Sequence, residues 1–344
     1  GEEEYYYGEV KPSGAKAPEE IVKFDRVGTD ITLDEFVAQF TLEELMDFVG
    51  GHGPTGVANT GCFGGLERLG VPAVPTADGP AGLRLDTNVG IPTTAWPCAT
   101  LLACMWNTDL VYEVGAAGGA EVRENNLGVW LTPALNIHRD PLCGRNFEYY
   151  SEDPLISGKM AAAITRGVQN HGGKGVTVKH YVANNQETNR VGINETISER
   201  ALQEIYYPGF KACMQEGKVE TVMSAYNRIN GIPCTESYKL LTEELRDKWG
   251  FEGTVLSDWG AVYHPVEALQ AGNDLAMPGP LPAQPIIEAV KDGRLAMEDL
   301  NKAVLRLLKT IAYCLENPYK NISSVKIGAM KVPMCAVNSC GYGT

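Results

Sequence analysis

Nowhere in the 344 residues does an apolar run approach the roughly 18 residues that a transmembrane helix needs, so no membrane is expected as a partner. The opening stretch, GEEEYYYGEVKPSGAKAPEE, lacks a basic region followed by an apolar one, and no signal peptide is expected. Nucleotide motifs are missing too: there is no G-x-x-x-x-G-K-[ST], and the glycines of GGLERLG have the wrong order for a G-x-G-x-x-G turn. Neither H-E-x-x-H nor paired Cys/His spacing occurs, and Ser257 has no G-x-S-x-G elbow around it. Neither a metal nor an organic cofactor is therefore expected. Basic residues are scarce, 29 Lys and Arg against 43 Asp and Glu, for a formal charge of -14 and a pI near 4.9. That balance disfavours nucleic acid and anionic membranes and suits a neutral or cationic small ligand. Nine cysteines form an odd, scattered set without C-x-x-C, which reads as reduced thiols in a reducing, cytoplasmic setting. The glycosylation-like triplets at Asn194 and Asn321 are too common by chance to change that.

What is present is ordinary globular composition, 44% hydrophobic and 21% charged, long enough for one large α/β domain. Residues 1–29 read as a linker-like arm that needs a neighbour to pack against. Helical signals begin with two capping boxes, Thr32-x-x-Glu35 and Thr41-x-x-Glu44, and Leu33, Phe36, Val37 and Phe40 share one helix face. Thereafter apolar runs end in polar tips. Val71 to Ala77 ends in Asp78 and leads to Arg84; Val129 to Leu135 ends in Asn136, His138 and Arg139, before a loop holding Arg145, Asn146 and Glu148. Gly175 to Val178 ends in Lys179-His180 and a polar loop to Arg190; Glu220 to Ser224 ends in Tyr226-Asn227; Thr254 to Leu256 ends in Asp258 and Trp259; Ala271 to Met277 contains Asp274. Helices are expected between them, notably Glu199 to Glu216 with Ser198 as N-cap and Glu236 to Trp249 stopped by Gly250. Alternation at this spacing implies βαβ units and a parallel sheet. A (β/α)8 TIM-like barrel is the economical closure, with an irregular or incomplete first strand, and a doubly wound sheet is the alternative.

In such a barrel Asp78, Arg84, Arg145, Lys179, His180, Arg190, Tyr226 and Asp258 all fall at or just past C-terminal strand ends, where parallel barrels keep their chemistry. The set is polar and mixed in charge, with Trp259 as an aromatic floor. It suits a ligand dense in hydroxyls, whose apolar face the indole stacks on. Each residue alone has a structural reading. Asp258 serves as a helix N-cap with Trp259 packing the rim; Arg84 or Arg190 is a salt-bridged loop residue; Lys179-His180 solubilises a strand end; Tyr226 packs a rim. The shared placement at one mouth is what favours a site.

Six ordered strings, TADGPAGLR (76–84), GRNFEYYSEDP (144–154), KHYVANNQETNR (179–190), VMSAYNRINGIP (222–233), VLSDWGA (255–261) and AGNDLAMPG (271–279), closely resemble the N-terminal barrel domain of glycoside hydrolase family 3, β-glucosidase branch. The resemblance covers residues 30–315 and leaves 316–344 as a tail matching nothing known. It implies a retaining, exo-acting β-glycoside hydrolase with Asp258 as nucleophile. Asp78, Arg84, Arg145, Lys179, His180, Arg190 and Tyr226 are the implied glycone ligands. The expected substrate is a β-linked oligosaccharide or aryl glycoside. An ionised nucleophile is expected to have its pKa held low by Lys179 and the arginines. The loop KHYVANNQ departs from the K-H-F-P-G-H-G type of the N-acetylglucosaminidase branch, which disfavours that activity. In the β-glucosidase branch the acid/base Glu comes from a sandwich domain, expected here in a longer polypeptide or a second chain. A homodimer is also compatible. The alternative reading is a catalytically incomplete sugar-binding or structural barrel subunit.

Overall fold

A computed structural model describes residues 15–170 and 174–315. Both capping boxes form. The side chains of Thr32 and Thr41 accept from the backbone N–H of Glu35 and Glu44, whose carboxylates return the bond. The helices they start, Leu33–Val37 and Leu42–Phe48, bury Phe36, Leu45 and Phe48. Within the predicted arm, Phe24 is buried with its ring tilted on Phe36 at 5.3 Å.

Among the described residues nine short strands follow: β1 Gly61–Gly64, β2 Ala73–Ala77, β3 Val129–Trp130, β4 Gly175–Tyr181, β5 Asn194–Glu195, β6 Thr221–Ser224, β7 Arg228–Ile229, β8 Ile232–Pro233 and β9 Thr254–Ser257. Six of them form one sheet, ordered β1-β2-β3-β4-β6-β9, parallel throughout except for the β1–β2 pair. Single bridges carry the ring onward. Leu256 pairs with Leu275, Ala276 with Gly50, and His52 with Cys62 of β1. The sheet thus curls into a closed barrel of eight staves, with the segments around Gly50 and Leu275 as irregular staves and β1 running against its neighbours. Only a 3-10 turn, Glu67–Leu69, joins β1 to β2, so a short antiparallel return replaces a helical crossover there.

Successive strand residues alternate between two cores, as a period of two demands. Val222 and Val255 pack in one, Met223 and Leu256 in the other. The closing stave is held by Asp274, fully buried, whose carboxylate accepts from Arg246 Nη2 (2.6 Å), Arg306 Nη1 (2.8 Å) and the backbone N–H of Val255 (2.8 Å). Two expected elements differ. The run expected over Val129 to Leu135 pairs regularly only through Trp130, because Pro133 has no N–H to give a ladder; Ala134 rejoins Lys179 by one bridge. The helix expected over Glu199 to Glu216 starts on a Ser198 cap but widens to a π-type turn over Leu202–Tyr206 before Pro208–Gln215, where Pro208 cannot donate to the preceding turn. The helix expected over Glu236 to Trp249 spans Lys239–Lys248, also wide-turned.

Candidate active site

Because β2, β4, β6 and β9 run parallel, their C-terminal ends open at one mouth. Asp78, Tyr226 and Asp258 lie just past their strands, whereas Lys179 and His180 lie within the last three residues of β4, which runs on to Tyr181 past the expected end at Val178. Asp78 leaves β2 with its backbone N–H on Asn59 Oδ1 (3.1 Å). Its carboxylate accepts from Lys179 Nζ at 2.6 Å and faces Arg84 Nη2 at 3.5 Å. Burial opposes ionisation of Asp78, but the Lys179 ammonium and the Arg84 guanidinium override it and bring the carboxyl down to about 2. Lys179 is 3% exposed, whereas Arg84 keeps half of its side chain in solvent.

Next to Lys179 in the chain, His180 points to the same mouth and is 2% exposed. Its Nε2 accepts from Arg145 Nη2 at 2.9 Å and stands 3.8 Å from Asp258 Oδ2. Burial first, and then the charges of Arg145, Lys179 and Arg190, push this imidazole well below its ordinary value, so it is neutral. Arg145 reaches in from the loop after β3. Its Nε donates to Glu148 Oε1 at 2.8 Å, and its Nη1 lies 3.8 Å from Glu187 Oε1. That loop is pinned by His138, whose Nε2 donates to the carbonyls of Asn146 (2.8 Å) and Tyr149 (3.1 Å).

Arg190 donates to Glu187 Oε2 at 2.7 Å and lies over the Tyr226 ring at 4.8 Å. Tyr226 in turn donates its hydroxyl to the carbonyl of Trp259 at 2.6 Å. Burial and the nearby Asp258 carboxylate push this phenol well up, so it is a donor throughout the ordinary pH range. Trp259 is partly buried against the second core. Asp258 is 8% exposed. Its Oδ1 accepts from the backbone N–H of Trp259 at 2.8 Å, and its own N–H donates to the Ser224 carbonyl at 3.0 Å. Its Oδ2 is buried without a hydrogen-bond partner among the described residues. No helix starts at Asp258, since the next one begins at Pro265, so a capping role is excluded.

The carboxyl of Asp258 is raised, not lowered as expected. Burial is the largest influence, and Arg145, the Trp259 N–H, Lys179 and Arg190 offset only part of it. The reason is geometric: each cation spends its nearest donor on another group, Arg145 on Glu148 and His180, Lys179 on Asp78 and Arg190 on Glu187. Four residues that the site uses, Glu187, Tyr149, Glu148 and Asn136, have no role in the expected set. Glu187 sits three residues before Arg190 and Glu148 three after Arg145, an opposite-charge spacing that is a weak but readable local signal. Tyr149, fully buried, had no such signal.

Among the described residues no group of three or more His, Cys, Asp or Glu is arranged to hold a metal ion, and no helix is long and apolar enough to cross a membrane. The seven described cysteines are free thiols; Cys335 and Cys340 lie outside the described residues, as does the tail over 316–344.

A profile of the Glycosyl hydrolase family 3 N terminal domain matches residues 64–310. Beta-glucosidase A of Butyrivibrio fibrisolvens is 49% identical over 272 residues, which are 79% of this chain and 32% of that protein. Thermostable beta-glucosidase B of Acetivibrio thermocellus is 46% identical over 266 residues, 74% of this chain and 35% of that protein. The solved structure of beta-glucosidase 3B from Thermotoga neapolitana in complex with alpha-D-glucose superposes with a TM-score of 0.80 at 46% identity, over 84% of this chain and 43% of that one. The chain spans about a third of the length of the curated relatives it matches.

Proposed function

From the premise that this chain belongs to glycosyl hydrolase family 3, we propose that it is the barrel of a retaining, exo-acting β-glycoside hydrolase with Asp258 as nucleophile. The observation that carries this reading is the state of Asp258. One oxygen is fixed by the Trp259 N–H, and the other is buried, without a hydrogen-bond partner among the described residues, beside cations that favour its ionised form. Such an oxygen is a nucleophile with little solvation to lose.

In the first step Oδ2 of Asp258 bonds to the anomeric carbon as the glycosidic bond breaks, and the leaving oxygen takes a proton. In the second, water attacks the same carbon and returns the carboxylate. Asp78 and Lys179 serve the sugar hydroxyls as acceptor and donor, most usefully where those bonds shorten as the ring flattens. Arg84, Arg145, Arg190 and Tyr226 complete the glycone contacts, with His180 beneath Arg145 and the Trp259 indole under the C–H face. The polar set serves glucose, xylose or galactose alike, so the glycone is left to competition assays.

His180 is not the proton donor. Its Nε2 faces Arg145 as an acceptor and carries no hydrogen. Asp78, Glu148 and Glu187 are each engaged by a cation. We assign the acid/base role to a Glu on a sandwich domain, in a longer polypeptide or a second chain. Two measurements test the reading. A 2-deoxy-2-fluoro-β-D-glucosyl fluoride, whose leaving group needs no acid, is expected to label Asp258, located by peptide mass spectrometry, and D258N is expected not to label. Label on any other residue overturns the assignment. The described chain by itself is expected to release a dinitrophenol from its β-glucoside while leaving cellobiose nearly intact; full-rate cellobiose turnover overturns the external acid.

A further inference from the structure

We propose that Asn136 is a positioning residue that holds His180 as its Nδ1–H tautomer, so that a bare Nε2 faces Arg145 and aims the guanidinium into the mouth beside Asp258. Two independent constraints, one on each ring nitrogen, lead to the same tautomer. On the Nε2 side the neighbour is Arg145 Nη2 at 2.9 Å, and a guanidinium only donates, so Nε2 accepts. On the other side the side-chain amide of Asn136 grips the backbone of His180 at both edges. Asn136 Nδ2 donates to the His180 carbonyl at 2.9 Å, and Asn136 Oδ1 accepts from the His180 N–H at 2.8 Å.

Those two backbone bonds leave the amide no freedom to flip, because a carbonyl cannot donate and an N–H cannot accept. The oxygen so fixed also lies 3.2 Å from Nδ1, which must therefore carry the hydrogen. Tyr149 adds a second acceptor there, its hydroxyl 3.2 Å from Nδ1 and itself receiving Asn184 Nδ2 at 3.2 Å. Asn136 and His180 are each 2% exposed and Tyr149 is fully buried, so water does not compete for these contacts. Arg145 thus has an acceptor at His180 and another at Glu148, which fixes the plane of the fork. The opposite tautomer would set an N–H against an N–H and turn the guanidinium away.

The tautomer stands on geometry alone, while its consequence for sugar binding rests on the glycosidase reading. The test uses the full chain. Nitrogen-15 NMR of histidine-labelled protein, with His180 assigned by the signal lost in H180Q, is expected to show at neutral pH a neutral ring with Nε2 unprotonated. N136L, which keeps the bulk but neither accepts nor donates, is expected to populate the Nε2–H form. It is also expected to weaken the apparent affinity for the 2-fluoro-glucosyl fluoride on the order of tenfold, with a smaller change in the limiting labelling rate. An Nε2–H or charged His180 in the wild type overturns the proposal, as does an N136L variant with wild-type affinity. The wild-type spectrum decides the tautomer even where N136L fails to fold. Should Asp258 label in no protein, the glycosidase reading fails while the spectrum still judges the tautomer.

Discussion

Replacing Asp78 by Asn should destabilise the barrel by an amount that depends on pH in a set way. The folded carboxyl sits at about 2 against an ordinary 3.8, a difference worth roughly 2.5 kcal/mol at about 1.4 kcal/mol per unit. With 26% of the Asp78 side chain in solvent, that figure is an upper bound for this group. The sign follows from the depressed value. Stability is fully present above the unfolded pKa, near 4, and is lost as pH falls through the folded one, near 2. Integrated over the two titrations, roughly half of the contribution is gone by pH 3. Urea melts of wild type and D78N at pH 7, 5, 4 and 3 measure the gap, and groups common to both proteins cancel in the difference. At pH 7 the gap exceeds the linkage amount if Lys179, 3% exposed, keeps its charge beside the weaker Asn acceptor. A gap that stays constant from pH 7 to pH 3 would refute the claim that the Lys179 pair holds Asp78 ionised.

Because burial raises the Asp258 carboxyl, the acid limb of its labelling by the fluoro-sugar should lie above the ordinary aspartate value, and R145M should move it further up, since Arg145 is the cation that offsets burial most. The rate of inactivation against pH checks this, and an R145M limb unmoved or displaced downward counts against it. Removing the buried clamp in D274A leaves Arg246, 7% exposed, and Arg306 without their shared carboxylate. It should cost roughly 3–5 kcal/mol in urea melts, and a loss below 1 kcal/mol would mean that Asp274 does not hold the closing stave.

The local parts of this protein were legible in its residues. A capping box occupies four consecutive positions, so Thr32 and Thr41 announce their helices without help from the fold. An apolar run ending in a charged or aromatic residue marks a strand end, and Asp78, Tyr226 and Asp258 are found just past one for that reason, while Lys179 stands two residues before the end of a β4 that runs on to Tyr181. What parallel strands share, a common direction, then gathers those tips at one mouth. Other features depend on where the chain goes. The reversal of β1 follows from a connection too short for a helix, and the joining of Gly50 to Ala276 closes a ring across more than two hundred residues.

The ionisation of Asp258 could not be read from the strand either. Having cations in the set says nothing about which acceptors they choose, and only the packed structure gives Lys179 to Asp78, Arg190 to Glu187, and Arg145 to Glu148 and His180. The clasp of Asn136 on His180 is of the same kind, since a side chain meeting a backbone 44 residues away leaves no periodic trace. Sequence determines which groups stand at each strand end, because a strand's pattern is local. The curvature of the barrel decides which of them touch, because it alone sets the distances over which a proton or a charge is shared.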